Sequence, residues 1–302
     1  MISNAICEKL TRLGARRDVP LSSICTFRIG GPASYVIEAS SSDTVIDAVS
    51  ICREEHIPVA VVGNGSNILF PDNGFDGLIL KISRRNIPVE ITDGRMRVFA
   101  GDSLTQIALN SVKNGFAGME RLAGIPGSVG GAVCMNAGAY GGEIKDVLKR
   151  VRILKDGKAE WQDAFPDSFG YRVSPYKWPG CVVLDAELQL TPGDGSEMEV
   201  MEDCLSRRRE KQPLEYPSAG SVFKRPQGSF AGKLIEDAGL KGFRIGGAEI
   251  SQKHAGFIIN RGGGTEKDVL ELIDTVQNKV DNLFGVKLER EVLRLSEIVC
   301  TF

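Results

Sequence analysis

Hydrophobic positions along this chain repeat at two spacings, one near 3.6 residues and one of 2, and the alternation between them outlines the elements. Residues 3–13 have helical spacing. Ser42 and Asp43 start a second helix whose apolar side, Val45, Ile46, Val49 and Ile51, predicts an end near Glu55. Residues 58–62 read as a buried strand running into Gly63-Asn64-Gly65-Ser66-Asn67. Asp93-Gly94 and Asp156-Gly157 each separate two alternating runs, the strongest short-range hairpin signal. Ser103-Leu104-Thr105-Gln106 matches a capping box and predicts a helix to about Asn114. Residues 182–190 alternate as a strand and stop at the turn-rich Thr191-Pro192-Gly193-Asp194-Gly195.

Beyond that turn the chain becomes more charged. Residues 196–211 predict a helix, and 229–238 a shorter one ended by Gly239. Thr265 caps a long helix whose Val269, Ile273, Val276, Val280 and Phe284 keep helical spacing to Gly285, and 286–295 read as the last strand. Hairpins and helices without regular βαβ repeats predict an α+β fold.

Glycine changes this picture most. Residues 115–142 hold nine glycines in 28 positions, with charge only at Glu120 and Arg121 and with Ile125, Val129, Val133 and Met135 between them. A disordered linker is polar and buries nothing, so this composition excludes one. Two readings remain: main chain moulded around a large ligand, or a set of tight turns. The loop at 63–67 begins like a dinucleotide fingerprint, but Ile68 stands where the third glycine belongs and no acidic ribose partner follows. A Rossmann site is therefore disfavoured, and no Walker loop occurs. Successive backbone N–H groups in 63–67 can instead form a nest for a diphosphate.

The global composition excludes several classes. A net charge of −2 gives no electrostatic footprint for nucleic acid. No apolar run approaches the ~20 residues that span a bilayer, and residues 1–17 lack a secretory h-region. Seven cysteines with no CxxC spacing fit a reducing compartment, so a cytoplasmic protein is expected. Two histidines, His56 and His254, are too isolated to predict a metal.

Longer blocks carry a resemblance. Thr26-Phe27-Arg28-Ile29-Gly30-Gly31-Pro32-Ala33, GNGSNIL at 63–69 and GIPGSVGGAVCMNAGAYGGE at 124–143 resemble the FAD-binding half of the UDP-N-acetylenolpyruvoylglucosamine reductase family, of the vanillyl-alcohol-oxidase (PCMH) type. Tyr171-Arg172, Lys211-Gln212-Pro213, PSAGSVFKRP at 217–226, KLIEDAGLKGFRIGGAEIS at 233–251, KHAGFIIN at 253–260 and Leu288-Glu289-Arg290-Glu291-Val292 extend it through the second half. The organisation implied is an N-terminal helix at 1–20, an FAD-binding domain at 21–195 in two parts (21–83 and 84–195), and a C-terminal α+β substrate domain at 196–302.

The resemblance implies non-covalent FAD against Gly63, Asn64, Gly65, Ser66 and Asn67 in the first loop. In the second block it implies Gly124, Ile125, Pro126, Gly127 and Ser128, then Gly131, Ala132, Asn136, Ala137 and Gly138. NADPH would reduce the flavin, and hydride would pass from flavin N5 to the β carbon of an enolpyruvyl ether on a UDP-sugar. Hydride addition there leaves an anion on the α carbon, delocalised into a carboxylate that is already charged, so it needs electrostatic help and a proton. By family matching Ser221 is the proton donor, Arg172 holds the carboxylate, and Glu291, protonated, hydrogen-bonds it. Without the motifs these residues read as a turn serine, a surface arginine and a partner of Arg290 or Arg294. Arg208 and Lys211, on one face of the charged helix, are either uridine-diphosphate contacts or solvated charge. Lys224 faces either phosphates or NADPH.

Two departures and two rivals bear on this. Leu293, then Arg294, stand where some members place a substrate-binding arginine, and the interval from Arg172 to Ser221 lacks the tyrosine-bearing loop of the family's longer form. A covalent flavoprotein of the same fold would need a histidine in the glycine blocks, and both lie outside them. A non-catalytic nucleotide-sugar sensor would lose Ser221, Arg172 or Glu291, and all three are present. A monomer is compatible with everything above.

Overall fold

The computed structural model describes residues 4–83 and 89–300. Residue 3 of the expected first helix, and the segment next to the expected division at 83/84, lie outside them.

One sheet is covered on both faces. Its strands run in the order Arg16–Pro20, Pro32–Ala39, Phe75–Ile82, Val59–Val62 and Val299–Cys300, with parallel pairing on both sides of Phe75–Ile82 and antiparallel edges. Side chains alternate along each strand, so Tyr35, Ile37, Leu78, Leu80 and Val59 enter one core while Val36, Ile79, Ala60 and Val62 enter another. Double coverage is why these strands are nearly continuous apolar runs.

The first core holds helix α1 (Asn4–Arg12), the buried side of α2 (Ser42–Glu54), and an antiparallel sheet. That sheet orders Lys158–Asp163, Leu148–Lys155, Val182–Gln189, Arg95–Phe99 and Ile91–Thr92. Both expected hairpins are present, with Asp93 (φ +51°) and Asp156 (φ +50°) in their turns. Helices α3 (Leu104–Lys113) and α4 (Val129–Met135) pack on the same core. The second core joins the opposite sheet face to a third sheet, ordered Ser218–Ser221, Phe257–Asn260, Ala248–Ile250 and Arg244–Ile245. It also holds α6 (Ala231–Asp237) and α7 (Glu266–Phe284), whose Val269, Leu272, Ile273, Val276 and Val280 are buried.

Several local expectations need correction. Ser41, one residue before the expected start, caps α2 by accepting from the Thr44 N–H at 3.2 Å. Ser103 does stand at the N-cap of α3, but its side chain makes no cap bond; the Leu104 N–H is satisfied by the Gly127 carbonyl at 3.0 Å, so the loop does the capping. Residues 286–295 are not one strand. Leu293–Arg294 pairs in parallel with Ile68–Leu69, and Val299–Cys300 completes the edge of the first sheet. Thr265 and Asp268 form the reciprocal capping box of α7, and Gly285 closes it in the left-handed region at φ +66°.

Helix α5 (Glu197–Lys211) opens the expected C-terminal unit, yet its Met201, with Met198 and Leu205, packs on the first core. The helix reads as charged because only that narrow stripe is covered.

Candidate active site

Two glycine loops meet first. Strand Val59–Val62 delivers Gly63, and the Ser128 N-cap of α4 stands so close that a Cβ on Gly63 would be 2.1 Å from Ser128 Oγ. The Asn64 side-chain amide donates to the Pro126 carbonyl at 2.9 Å. Ser128 Oγ accepts from the Gly131 N–H at 3.3 Å, and Gly131, though inside an apolar glycine block, is exposed. The result is bare, uncharged main chain from two loops on one surface. That surface suits a flat aromatic cofactor with a diphosphate better than a charged or bulky lining would.

Arg172 stands in a tight turn. Gly170 and Val173 exchange both backbone hydrogen bonds, at 3.0 and 3.1 Å, and Arg172 between them has φ +59°. A non-glycine residue there costs roughly 1–2 kcal/mol, so the surroundings must hold it. Asn136, left-handed itself at φ +40° and fully buried, donates to the Gly170 carbonyl at 3.0 Å. The Arg172 guanidinium donates from Nη2 to the Gly138 carbonyl at 3.3 Å and lies 4.8 Å from the Tyr171 ring centre. Its Nε donates to Glu291 Oε1 at 2.6 Å, with side chains only 17% and 12% exposed.

Glu291 is the hub of the constellation. Its N–H donates to the Val222 carbonyl at 2.7 Å, beside Ser221, while its own carbonyl accepts from the Asn67 side chain at 3.3 Å. The Leu293 N–H adds a bond to the Asn67 carbonyl at 3.0 Å. One short segment therefore ties the first glycine loop to the strand that ends in Ser221, and its carboxylate ties both to Arg172. Ser221 itself is exposed. Thr26 adds a second tie, its N–H to the Gly65 carbonyl at 3.2 Å and its Oγ1 to the Ser218 carbonyl at 2.7 Å.

The alternative partners of Glu291 are occupied elsewhere: Arg290 pairs with Glu297 at 2.8 Å and Arg294 with Glu266 at 3.0 Å. Lys224 pairs with Glu289 at 2.9 Å beside this segment. Arg208 lies apart from these groups. Its Cδ is 3.0 Å from the place of a Gly124 Cβ, and with Pro126, Leu205 and Leu214 it lines a cavity of about 330 Å³. Burial pushes its guanidinium pKa down. Lys211, the last residue of α5, is exposed. His254 Nδ1 accepts from the Gly256 N–H at 3.1 Å, a local structural bond, and burial lowers its pKa. Lys177, which the sequence reading passed over, is half-buried, and its Nζ donates to the Arg172 carbonyl at 3.3 Å. Its only sequence signal is a lysine five positions after Arg172. Among the described residues no group of three His, Cys, Asp or Glu could hold a metal, and no helix is long and apolar enough to cross a membrane.

Comparison with known proteins accounts for both halves. Residues 33–163 match the profile described as an FAD binding domain, and residues 212–295 match that of the UDP-N-acetylenolpyruvoylglucosamine reductase C-terminal domain. A UDP-N-acetylenolpyruvoylglucosamine reductase of Agathobacter rectalis is 44% identical over 97% of this chain and 98% of its own. The chain belongs to the UDP-N-acetylenolpyruvoylglucosamine reductase family. A Clostridium botulinum reductase of the same description is 45% identical over 93% of this chain and 92% of its own. The crystal structure of the Thermus caldophilus reductase superposes with a TM-score of 0.77 at 35% identity, covering 91% of this chain and 97% of that one. As a family member the chain is an FAD-dependent oxidoreductase with an α+β, PCMH-type flavin fold. The glycine loops belong to the half that matches the FAD model, and Ser221 and Glu291 to the half specific to this reductase family.

Proposed function

We propose that this chain reduces UDP-N-acetyl-3-O-(1-carboxyvinyl)-glucosamine to UDP-N-acetylmuramate with NADPH, in the cytoplasm, for peptidoglycan precursor synthesis. The observation that carries the reading is the Glu291 segment, which binds the flavin-side loop with Asn67, the Ser221 strand through Val222, and Arg172 through its carboxylate. A hydride donor, a proton donor and a carboxylate receptor must lie within one substrate's reach, and bonds from this one segment reach all three regions.

Bound FAD would supply the hydride acceptor for NADPH and the donor for the vinyl ether, held over Gly63, Asn64, Gly65, Ser66, Asn67 and the 124–138 block. The remaining work falls to side chains. Ser221 holds the proton for the α carbon; a hydroxyl is a weak acid, but an enolate is basic enough to take it when geometry is fixed. Arg172 presents a planar fork to the substrate carboxylate and stabilises the developing charge. The fork pairs with Glu291, and the incoming carboxylate takes over an arginine already oriented by its turn. Glu291, displaced from Arg172, takes up a proton from solvent as the substrate carboxylate binds and donates it in a hydrogen bond to that carboxylate. Lys224 lies on the substrate side, beside the Glu289–Glu291 segment. Arg208, with Lys211 beyond it, reaches a diphosphate at the edge of the Gly124 loop.

The test is NADPH oxidation that depends on the enolpyruvyl nucleotide sugar, by protein whose yellow flavin is released by acid or heat. Ser221→Ala should leave flavin reduction by NADPH near normal and slow the substrate half-reaction by orders of magnitude. Equal slowing of both halves removes the proton-donor role.

A further inference from the structure

The Arg172 turn is braced from its C-terminal side by a residue outside the reaction just described. Ser174 Oγ donates to the Cys134 carbonyl at 2.9 Å and accepts from the Tyr176 N–H at 3.2 Å, which pins this segment to the end of α4. The buried Tyr176 ring packs edge-on against Phe169, with centres 6.1 Å apart. The Lys177 N–H then bonds the Ser174 carbonyl at 3.3 Å. The backbone of Lys177 is thus fixed before its side chain does anything. From that platform the ammonium turns back over five residues and donates to the carbonyl of Arg172, the residue held at φ +59°.

A surface lysine would extend into water, where its rotamer freedom is kept. This one is half-buried, and the loss of solvent around it pulls its pKa down, as does the charge of Lys224, while Glu291 and Glu297 act in the opposite direction. Lys177 bonds the Arg172 carbonyl and Lys224 pairs with Glu289, so a cation stands beside each half of the Arg172–Glu291 pair.

Resting on the function proposed above, we propose that Lys177 is a positioning residue for the substrate-carboxylate site: its ammonium locks the Arg172 turn so that the guanidinium faces the carboxylate. It acts through Arg172 and moves no proton itself. A neutral side chain in its place frees the turn to relax out of the left-handed region, and the fork then meets the carboxylate at the wrong angle.

The experiment is a double-mutant cycle on the FAD-loaded enzyme with rapid-reaction readout of each half-reaction. Lys177→Met should leave flavin reduction by NADPH within about twofold and slow flavin reoxidation by the enolpyruvyl sugar at least about tenfold. Lys177→Arg should recover most of that loss. In an Arg172→Ala background, Lys177→Met should change the substrate step by less than about twofold, because the residue it positions is gone. Lys177→Gln replaces the Met variant if the latter does not fold. A tenfold loss that persists in the Arg172→Ala background, or a single variant with wild-type reoxidation, overturns the proposal. Wild-type enzyme inert toward the enolpyruvyl sugar would instead overturn the function proposed above.

Discussion

Two turns in this molecule demand the same left-handed backbone and meet the demand in opposite ways. Gly65, in the first glycine loop, has φ +62°, and a Cβ there would stand 2.7 Å from the Ile24 carbonyl oxygen and 2.8 Å from Cys25 Cα. Arg172 has φ +59° in the Gly170–Val173 turn and carries a full guanidinium. At Gly65 the Ile24–Cys25 main chain leaves no room for a side chain. Arg172 keeps its side chain, and hydrogen bonds surround the turn: Asn136 to the Gly170 carbonyl, Lys177 to the Arg172 carbonyl and Arg172 to Glu291. Glycine serves where packed main chain excludes a Cβ; strain is tolerated where surrounding hydrogen bonds hold the residue in place.

The largest way to break this contrast is at the fork. Arg172→Ala should lower kcat/KM for the enolpyruvyl substrate by roughly a thousandfold, about 4 kcal/mol of transition-state stabilisation, while the visible flavin spectrum stays. A loss under tenfold in steady-state assays would mean the strained turn does not serve the reaction. Arg172→Gly sharpens the point: it should be as inactive as the alanine variant, yet more stable by about 1 kcal/mol in thermal unfolding, since relief of the left-handed strain outweighs glycine's larger unfolded-state entropy.

At the other turn, Gly65→Ala should cost about 2–3 kcal/mol of stability and weaken flavin retention, because the new methyl must displace the Ile24–Cys25 main chain. Calorimetry together with flavin content checks it, and an unchanged melting temperature would show that the loop yields freely.

The smallest effect lies in the strap that carries Glu291. Burial pushes Glu297 up, but the Arg290 hydrogen bonds, the Arg294 N–H and both positive charges win, and its carboxyl sits below its ordinary value of 4.5. A depressed carboxyl contributes stability above its unfolded value and loses it as pH falls through the folded one. Glu297→Gln should therefore lower the melting temperature slightly near neutrality, and the difference from wild type should vanish as pH falls below 4.5 and the wild-type carboxyl is protonated too.

Most of the elements were legible because their causes are local. The hairpins at Asp93-Gly94 and Asp156-Gly157, the Thr265 cap and the Gly285 stop depend on residues within a turn of each other. The misreadings have non-local causes. Ser103 is at its cap position, but its side chain makes no cap bond: the Gln106 N–H goes to the Ser103 carbonyl and the Leu104 N–H to the distant Gly127 carbonyl. Residues 286–295 alternate like one strand, yet distant partners divide them: Val222 takes the Glu291 N–H, and Ile68–Leu69 pairs with Leu293–Arg294. Lys177 left almost no trace in the sequence, since a lysine shows its role only through the carbonyl it reaches.

The chain alone determined where backbone must turn sharply, which faces are apolar, and, through long motif blocks, which residues to suspect. Those properties depend on residue type and short spacing. Tertiary structure alone decided that Glu291 rests on Arg172 across 119 positions while Arg290 and Arg294 go to other carboxylates. It also decided that one segment joins the flavin loop to the Ser221 strand. Three arginines offered the same charge to that carboxylate, and only the direction imposed on each by its backbone distinguishes them.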